Sequence, residues 1–368
     1  MKIKFLLLLL LCTINCLMVS APKNLKILHL SFHQGCINDF KDVAKELDLD
    51  VTSWSIFSPG VPREHFDGFS SNGLIYSITH DRAQKVWERY KYFFATFDVI
   101  VTSDTAPLSR IFLQHGWQKP LIIWICNRFD FYDKYTRDHP FPDQEYYDLF
   151  NKATKQDNVK IIGYTPYEHE YVATKGITTG GLTIKPIGTK SDNTATIESY
   201  IPHEIEKGNT LFIYPSLTDQ QVNYFKNQCD ALGIPAYSGK FNGPDDIKDF
   251  KGVLYIPYQI SNLAMFENFQ RGLIHFVPSR EFMKNLVPSP VNAYHISHDL
   301  FPHCEWYIQE HKNLLVYFDS WADLKEKIDT IDYNKLHNTI VSFAQQHRVE
   351  MLSRWQEVFT WAQLYYSH

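Results

Sequence analysis

The chain has 368 residues, 44% of them hydrophobic and 21% charged, a composition that can bury a large core and excludes a disordered or fibrous protein. At roughly 150 residues per domain, two domains are expected. Lys plus Arg number 36 against 41 Asp plus Glu, a formal charge of -5 with no block of like charges, which excludes nucleic acid as the main partner.

Residues 1–21 read as a signal peptide or N-terminal anchor. Lys2 and Lys4 precede Phe5 and the run Leu6 to Leu11, and apolar residues continue with interruptions to Val19, the order of a secretory n-region and h-region. Val19-Ser20-Ala21 has the small residues of a cleavage site, followed by a hindering Pro22, and Cys12 or Cys16 is a poor lipid acceptor. Cleaved, lipidated and anchored forms stay open, and a run shorter than the ~20 residues of a spanning helix favours cleavage. The expected place is therefore a periplasm, cell envelope or secretory lumen, with membrane contact through this segment. Beyond it stand Cys36, Cys126, Cys229 and Cys304, too widely spaced for a zinc site and better read as buried thiols or at most one or two bridges. No Asn-x-Ser/Thr sequon occurs, which favours a bacterial-type envelope.

From residue 25 apolar runs alternate with amphipathic stretches. The pattern predicts a strand at Leu25 to Leu30, a polar loop at Ser31 to Asn38 and a helix at Asp39 to Leu47. Then come a strand at Val51 to Ile56, a helix at Lys85 to Thr96, a strand at Val99 to Thr102, a helix at Leu108 to His115 and a buried strand at Leu121 to Cys126. That order predicts a parallel doubly wound sheet. Gly176 to Gly208 is rich in Gly and Pro and is the best place for a hinge. The pattern then restarts: strand Thr210 to Tyr214, helix Asp219 to Leu232, strand Ala236-Tyr237, short helix Pro244 to Phe250, strand Val253 to Ile256. Leu336 to Tyr366 holds no Pro or Gly and reads as one long helix or two joined end to end. The fold class is α/β, two Rossmann-like doubly wound domains facing a cleft, with a ligand at the carboxyl ends of the strands. The abundant aromatics (26 Phe, 22 Tyr, 8 Trp) suit the cores first and stacking on flat or sugar-like ligands second.

Within the second domain, Tyr237 to Ser279 sets a Gly-containing loop (Gly239, Gly243), a short helix, a strand, then Glu267, Gly272 and a further apolar strand at Leu273 to Val277. This stretch closely resembles the donor half of GT-B glycosyltransferases, and the order of elements elsewhere resembles it loosely. The resemblance implies an N-terminal acceptor domain at 22–190, a linker at 191–208, a nucleotide-sugar domain at 209–335 and a helical segment at 336–368 that returns to the first domain. It implies transfer of a sugar from a UDP- or GDP-type donor to a glycan, lipid or protein acceptor, with the nucleotide sugar as co-substrate and no resident cofactor or metal. Glu267 then accepts hydrogen bonds from ribose hydroxyls, and Tyr258, Gln259 and Ser261 line the diphosphate. The chain departs from the pattern twice. Gln259 stands where retaining members carry a first carboxylate. Leu211 to Asp219 supplies no cation, so Lys240, Arg271 or Arg280 must meet the phosphates.

In the first domain the loop after the opening strand carries His33, Gly35 and Asp39. In inverting relatives a histidine here is the base that deprotonates the acceptor, and an imidazole titrates in the useful range. Gly35 allows close approach to the backbone, and Asp39 is a second base, an orienting partner for His33 or a helix cap. Arg128 and Asp130 follow a strand and offer an anion and a hydroxyl contact, or pair with each other. Thr102 to Thr105 lines the same cleft or caps the next helix. Asp48-Leu49-Asp50 precedes a strand, at the wrong end of the sheet for a metal, and no metal is assigned. The alternatives are a two-lobed solute-binding protein of the periplasmic type and a degenerate transferase that binds without turnover.

Overall fold

A computed structural model describes residues 25–54, 78–127, 129–130, 143–190, 200–214, 219–286 and 298–366. The expected leader, Arg128 and residues 191–199 of the expected linker lie outside them. The first lobe runs β1 (Lys26–Leu30), α1 (Gln34–Glu46), β2 (Asp50–Trp54), α2 (His80–Phe94), β3 (Val99–Thr102), α3 (Arg110–Leu113), β4 (Leu121–Ile125), α4 (Gln144–Ala153), β5 (Val159–Gly163) and α5 (Pro166–Ala173). The second runs β6 (Leu211–Ile213), α6 (Asp219–Ala231), β7 (Ala236–Tyr237), α7 (Pro244–Ile247), β8 (Gly252–Leu254), α8 (Leu263–Phe269), β9 (His275–Pro278), α9 (Arg280–Leu286), β10 (Leu315–Phe318) and α10 (Trp321–Thr330). One helix, α11 (Tyr333–Tyr366), closes the chain.

Both sheets are parallel, and each places its first strand between its second and third: β2-β1-β3-β4-β5 and β7-β6-β8-β9-β10. The strands are short and apolar because helices cover both faces; all five residues of β4, Leu121 to Ile125, are buried. α11 joins the two cores. Its Ile340 and Ala344 pack in the second lobe, whereas Met351, Trp355, Val358, Phe359 and Ala362 pack in the first. At 34 residues it spans roughly 50 Å, enough to reach across both lobes.

Some boundaries move. α1 starts at Gln34, so the expected loop is shorter and Asp39 lies in the second turn; the cap is His33, whose Nδ1 accepts the Gly35 N–H at 3.1 Å. An imidazole can take the place of the usual Ser or Asp at this position only because Gly35 leaves room for it. A Cβ there would stand 2.8 Å from the His33 ring. α2 begins five residues before the expected Lys85, and Leu108 to His115 divides into a 3-10 turn at Ala106–Ser109 and the one-turn α3.

What joins the lobes is the strap at residues 184–190. Asp39 accepts the N–H of Gly188 at 2.9 Å and of Ile187 at 3.3 Å, and Asp42 accepts that of Lys190 at 2.7 Å. From α11, His347 Nε2 bonds the Pro186 carbonyl at 2.9 Å and Arg348 donates to the Gly188 carbonyl at 2.8 Å. From α8's end, Gln270 donates to the Ile187 carbonyl at 2.8 Å. Gly188 has φ +72°, and a Cβ there would stand 2.4 Å from the Phe266 carbonyl oxygen. Gly188→Ala is expected to cost about 2–4 kcal/mol through backbone strain and overpacking. A lowered denaturant midpoint checks it, and an unchanged midpoint refutes it.

Candidate functional site

In sheets of this order a ligand sits outside the carboxyl ends of the strands, where the strand order reverses. Here those places are between β1 and β3 and between β6 and β8. In the first lobe, Ser31 to His33 lead from β1 to α1. His33 is exposed, and the hydrogen-bonded Cys36 thiol beside it holds its imidazole above the usual value. While the cap holds, the Nδ1 lone pair is spent on Gly35, so proton uptake there requires the ring to swing out. The neighbouring His29 is a different kind of residue. It is buried on β1, 2.8 Å from Ser103 Oγ, and burial pushes it down to about 3, which makes it a neutral core histidine.

Across from this loop, Asp104 ends β3 with φ +71°, a conformation that costs a non-glycine residue about 1–2 kcal/mol. Its Oδ1 accepts from Asn127 Nδ2 at 2.9 Å and its carbonyl accepts the Asn127 N–H at 3.0 Å, which ties the ends of β3 and β4 together. Its Oδ2 is buried without a hydrogen-bond partner among the described residues, and burial raises the carboxyl to about 7. The hydroxyls of Thr102, Thr105, Tyr164 and Thr165 are buried without partners among the described residues, at the same ends of β3 and β5. Buried polar groups are normally satisfied, so this concentration marks a place where a polar ligand or water supplies the missing bonds. Sequence reasoning gave Asp104 only a lining or capping role, because a positive φ at an aspartate leaves no trace in composition or periodicity.

In the second lobe Tyr214 follows β6 and Tyr255 follows β8. Asn262 caps α8 through its Oδ1, which accepts the Ala264 N–H at 2.9 Å, while its Nδ2 donates to the hydroxyls of Tyr255 and, at 3.1 Å, Tyr258. Tyr255 stacks on Trp306 with centroids 4.0 Å apart. Burial raises the Tyr214 phenol, with smaller pushes from Tyr258 and from Glu267 in the last turn of α8. Glu267 keeps some exposed surface, yet burial raises its carboxyl to about 7 against the opposing pull of Arg271. Among the described residues it forms no ion pair, and the carboxylates of Asp39 and Asp42 in the first lobe are near enough for mutual repulsion to be felt.

The other expected site residues divide. Tyr258 and Gln259 are half-buried and so is Ser261; the Gln259 carbonyl takes the Cys304 thiol at 3.4 Å. Lys240 and Arg280 are exposed and form no ion pair among the described residues. Arg271 is occupied: it holds Asp245 at 2.7 Å and donates to the Thr189 carbonyl, so its guanidinium braces α8 against α7 and the strap. Asp39 is fully buried and serves the strap, where burial raises it to about 8. It neither opens α1 nor bonds His33. A Cβ on Gly35 would lie 3.1 Å from Leu263 Cδ2, so what approaches that glycine is the other lobe's helix α8. Asp130 is buried and accepts the Tyr147 hydroxyl. Cys36, Cys126, Cys229 and Cys304 are all free and buried.

No protein-family profile matches the chain, and no curated protein sequence matches it. Solved structures do. A sucrose-phosphate synthase from Thermosynechococcus elongatus is 11% identical, with 92% of this chain and 98% of that chain covered at a TM-score of 0.50. A UGT transferase from Siraitia grosvenorii in complex with UDP is 10% identical over 91% and 100% of the two chains, TM-score 0.49. The Anabaena protein HepE in complex with UDP-glucose is 14% identical over 91% and 98%, TM-score 0.45. Two parallel five-stranded lobes of like strand order, a last helix that returns to the first lobe, and the end-to-end likeness to the synthase together give this chain the GT-B fold.

Proposed function

We propose that the chain is a glycosyltransferase that moves a sugar from a UDP- or GDP-type donor to a hydroxyl of a glycan, lipid or protein acceptor, with no resident cofactor and no metal. The observation that carries this reading is Glu267, a largely enclosed carboxylate with no ion pair among the described residues, whose charge is felt by Tyr214 after β6 in its own lobe and by Asp39 in the first. Two vicinal ribose hydroxyls would donate to its two oxygens and restore the ionised form that burial disfavours. Tyr258 offers a flat face to the base, and Lys240 and Arg280 remain for the diphosphate because Arg271 is engaged.

In the reaction, His33 takes the proton of an acceptor hydroxyl, the oxygen bonds to the anomeric carbon, and the bond from that carbon to the phosphate oxygen breaks as the nucleoside diphosphate leaves. Asp104, with one oxygen unspent, holds the acceptor by accepting from a second hydroxyl. The export signal belongs to the same reading as the expected address of the enzyme. A two-lobed solute-binding protein commonly passes between its lobes two or three times. Here β1 to β5 form one sheet and β6 to β10 the other, and among the described residues α11 is the element that returns.

Glu267→Ala is expected to weaken nucleotide binding by roughly 2 kcal/mol, about thirtyfold, the loss of charge-assisted hydrogen bonds. Calorimetry with UDP and with GDP, wild type against variant, checks this. Equal affinities would remove the assignment. A protein that binds nucleotide tightly and releases none from any nucleotide sugar would instead be the degenerate transferase, a reading that the engagement of Arg271 favours.

A further inference from the structure

Cys36 and Cys126 meet behind His33. Along β4 the side chains alternate: Leu121, Ile123 and Ile125 enter one core of the first lobe, and Ile122, Trp124 and, just past the strand, Cys126 enter the other. The second of these cores lies under α1, which turns Cys36, Phe40 and Val43 into it at helical spacing. Strand alternation and helix periodicity thus bring to one place two thiols far apart in the chain, and there they lie within hydrogen-bonding reach of each other. His33, the cap of α1, is hydrogen-bonded to Cys36 in turn. Neither thiol has a part in the proposed transfer. Cys229 and Cys304 belong to the core of the second lobe, where the Cys304 thiol donates to the Gln259 carbonyl at 3.4 Å.

We infer that Cys36 and Cys126 are a thiol–disulfide pair, closed to a bridge by a low-molecular-weight disulfide, with His33 taking the Cys36 proton. One buried cysteine is a small hydrophobe and implies no chemistry. Two in contact beside an imidazole are a nucleophile, a resolving thiol and a proton acceptor. Cys36 is the nucleophile, because it lies in the first turn of α1, where the helix dipole favours a thiolate, and touches His33. At rest the contact with Cys126 and burial hold Cys36 protonated, and burial does the same to Cys126. The pair is therefore dormant while α1 stays capped, since the Nδ1 lone pair of His33 is spent on Gly35; release of the cap frees it. With glutathione disulfide as the oxidant, the Cys36 sulfur attacks one sulfur of the reagent, whose S–S bond breaks, and one glutathione leaves with the proton that His33 carried. Cys126 then attacks the Cys36 sulfur, and the second glutathione leaves with the Cys126 proton. Two thiols of the protein have become one bridge, and the reagent has become two thiols. The bridge would pin the first turn of α1 to the end of β4. The leader expected at residues 1–21 would take the chain to a compartment where such bridges form.

Full-length protein equilibrated in native buffer with reduced and oxidised glutathione, then acid-quenched, alkylated and peptide-mapped, tests this. In excess oxidised glutathione the peptides of Cys36 and Cys126 are expected to be joined to each other, and in excess reduced glutathione both are expected to be alkylated. Cys126→Ser, which lacks the resolving thiol, is expected to hold Cys36 as a mixed disulfide with glutathione. His33→Asn keeps a helix cap but takes no proton, and is expected to close at least tenfold more slowly at pH 7. Cys36 and Cys126 both alkylated at every ratio, or either joined to a different cysteine, would overturn the inference. So would closure of His33→Asn at the wild-type rate, since the imidazole would then have no share in it. The readout is the bond itself and not sugar transfer, so failure here leaves the transferase reading standing, and failure of that reading leaves the bridge.

Discussion

His33→Ala is expected to lower the release of nucleoside diphosphate from a nucleotide sugar by about 10²–10⁴-fold, the range in which a positioned proton acceptor contributes. UDP or GDP affinity should stay within about twofold, because the groups assigned to the donor sit in the other lobe. The same substitution removes the cap of α1, worth about 1 kcal/mol, so a fall in activity alone does not separate a lost base from lost structure. His33→Asn separates the two effects. Asparagine is a good cap and takes up no proton near neutral pH, so this variant is expected to unfold like wild type and to transfer like the alanine variant. Full turnover in either protein eliminates His33 as the base.

Lys185→Ala is expected to have the largest effect on stability. Lys185 in the strap donates to Glu305 at 3.0 Å and to Glu310 at 2.7 Å. Glu305 is almost wholly buried, and its carboxyl is raised to about 7 by burial against the pull of the lysine. Removing one partner of a buried pair leaves the other uncompensated, at about 3–5 kcal/mol. The sign of the pH dependence follows. Without the lysine, Glu305 goes further above its unfolded value, so the folded state binds a proton that the unfolded state has lost. Stability then falls as pH rises from about 5 through 7 and beyond, more steeply than in wild type. Denaturant midpoints at pH 6 and 8 give the comparison. Lys185→Met/Glu305→Met, which removes both charges and keeps apolar volume, should recover most of the loss and flatten the dependence. A double variant as unstable as the single one would mean that Lys185 acts through something other than this pair.

Much of the architecture was legible in the chain because buried parallel strands are continuous apolar runs. Leu121 to Cys126, Val99 to Thr102 and Leu336 to Tyr366 stand within a few residues of β4, β3 and α11. β5 and β10 were not read: β5 carries Lys160 near its start, and β10 follows a stretch crowded with aromatics, so neither alternates nor runs cleanly. The start of α1 was missed because its cap is a histidine. Among the candidate site residues, Glu267 is singled out through the resemblance of Tyr237 to Ser279 to the donor half of GT-B glycosyltransferases, not by any property of the residue alone. The commitments of Asp39 and Arg271 could not be seen. Each is spent on backbone of the strap, about 150 residues away from Asp39 and about 80 from Arg271 in the chain, and no local pattern records partners so distant.

The strap behaves like the spine of a book. Helices from both lobes and α11 grip the same seven residues, so the edge of the interface along Ile184 to Lys190 is fixed, and any opening must be a rotation about that line. The margin farthest from it is where relative motion of the lobes would be greatest. A loosened spine would therefore disturb how tightly the lobes close on each other before it altered the groups that line either one.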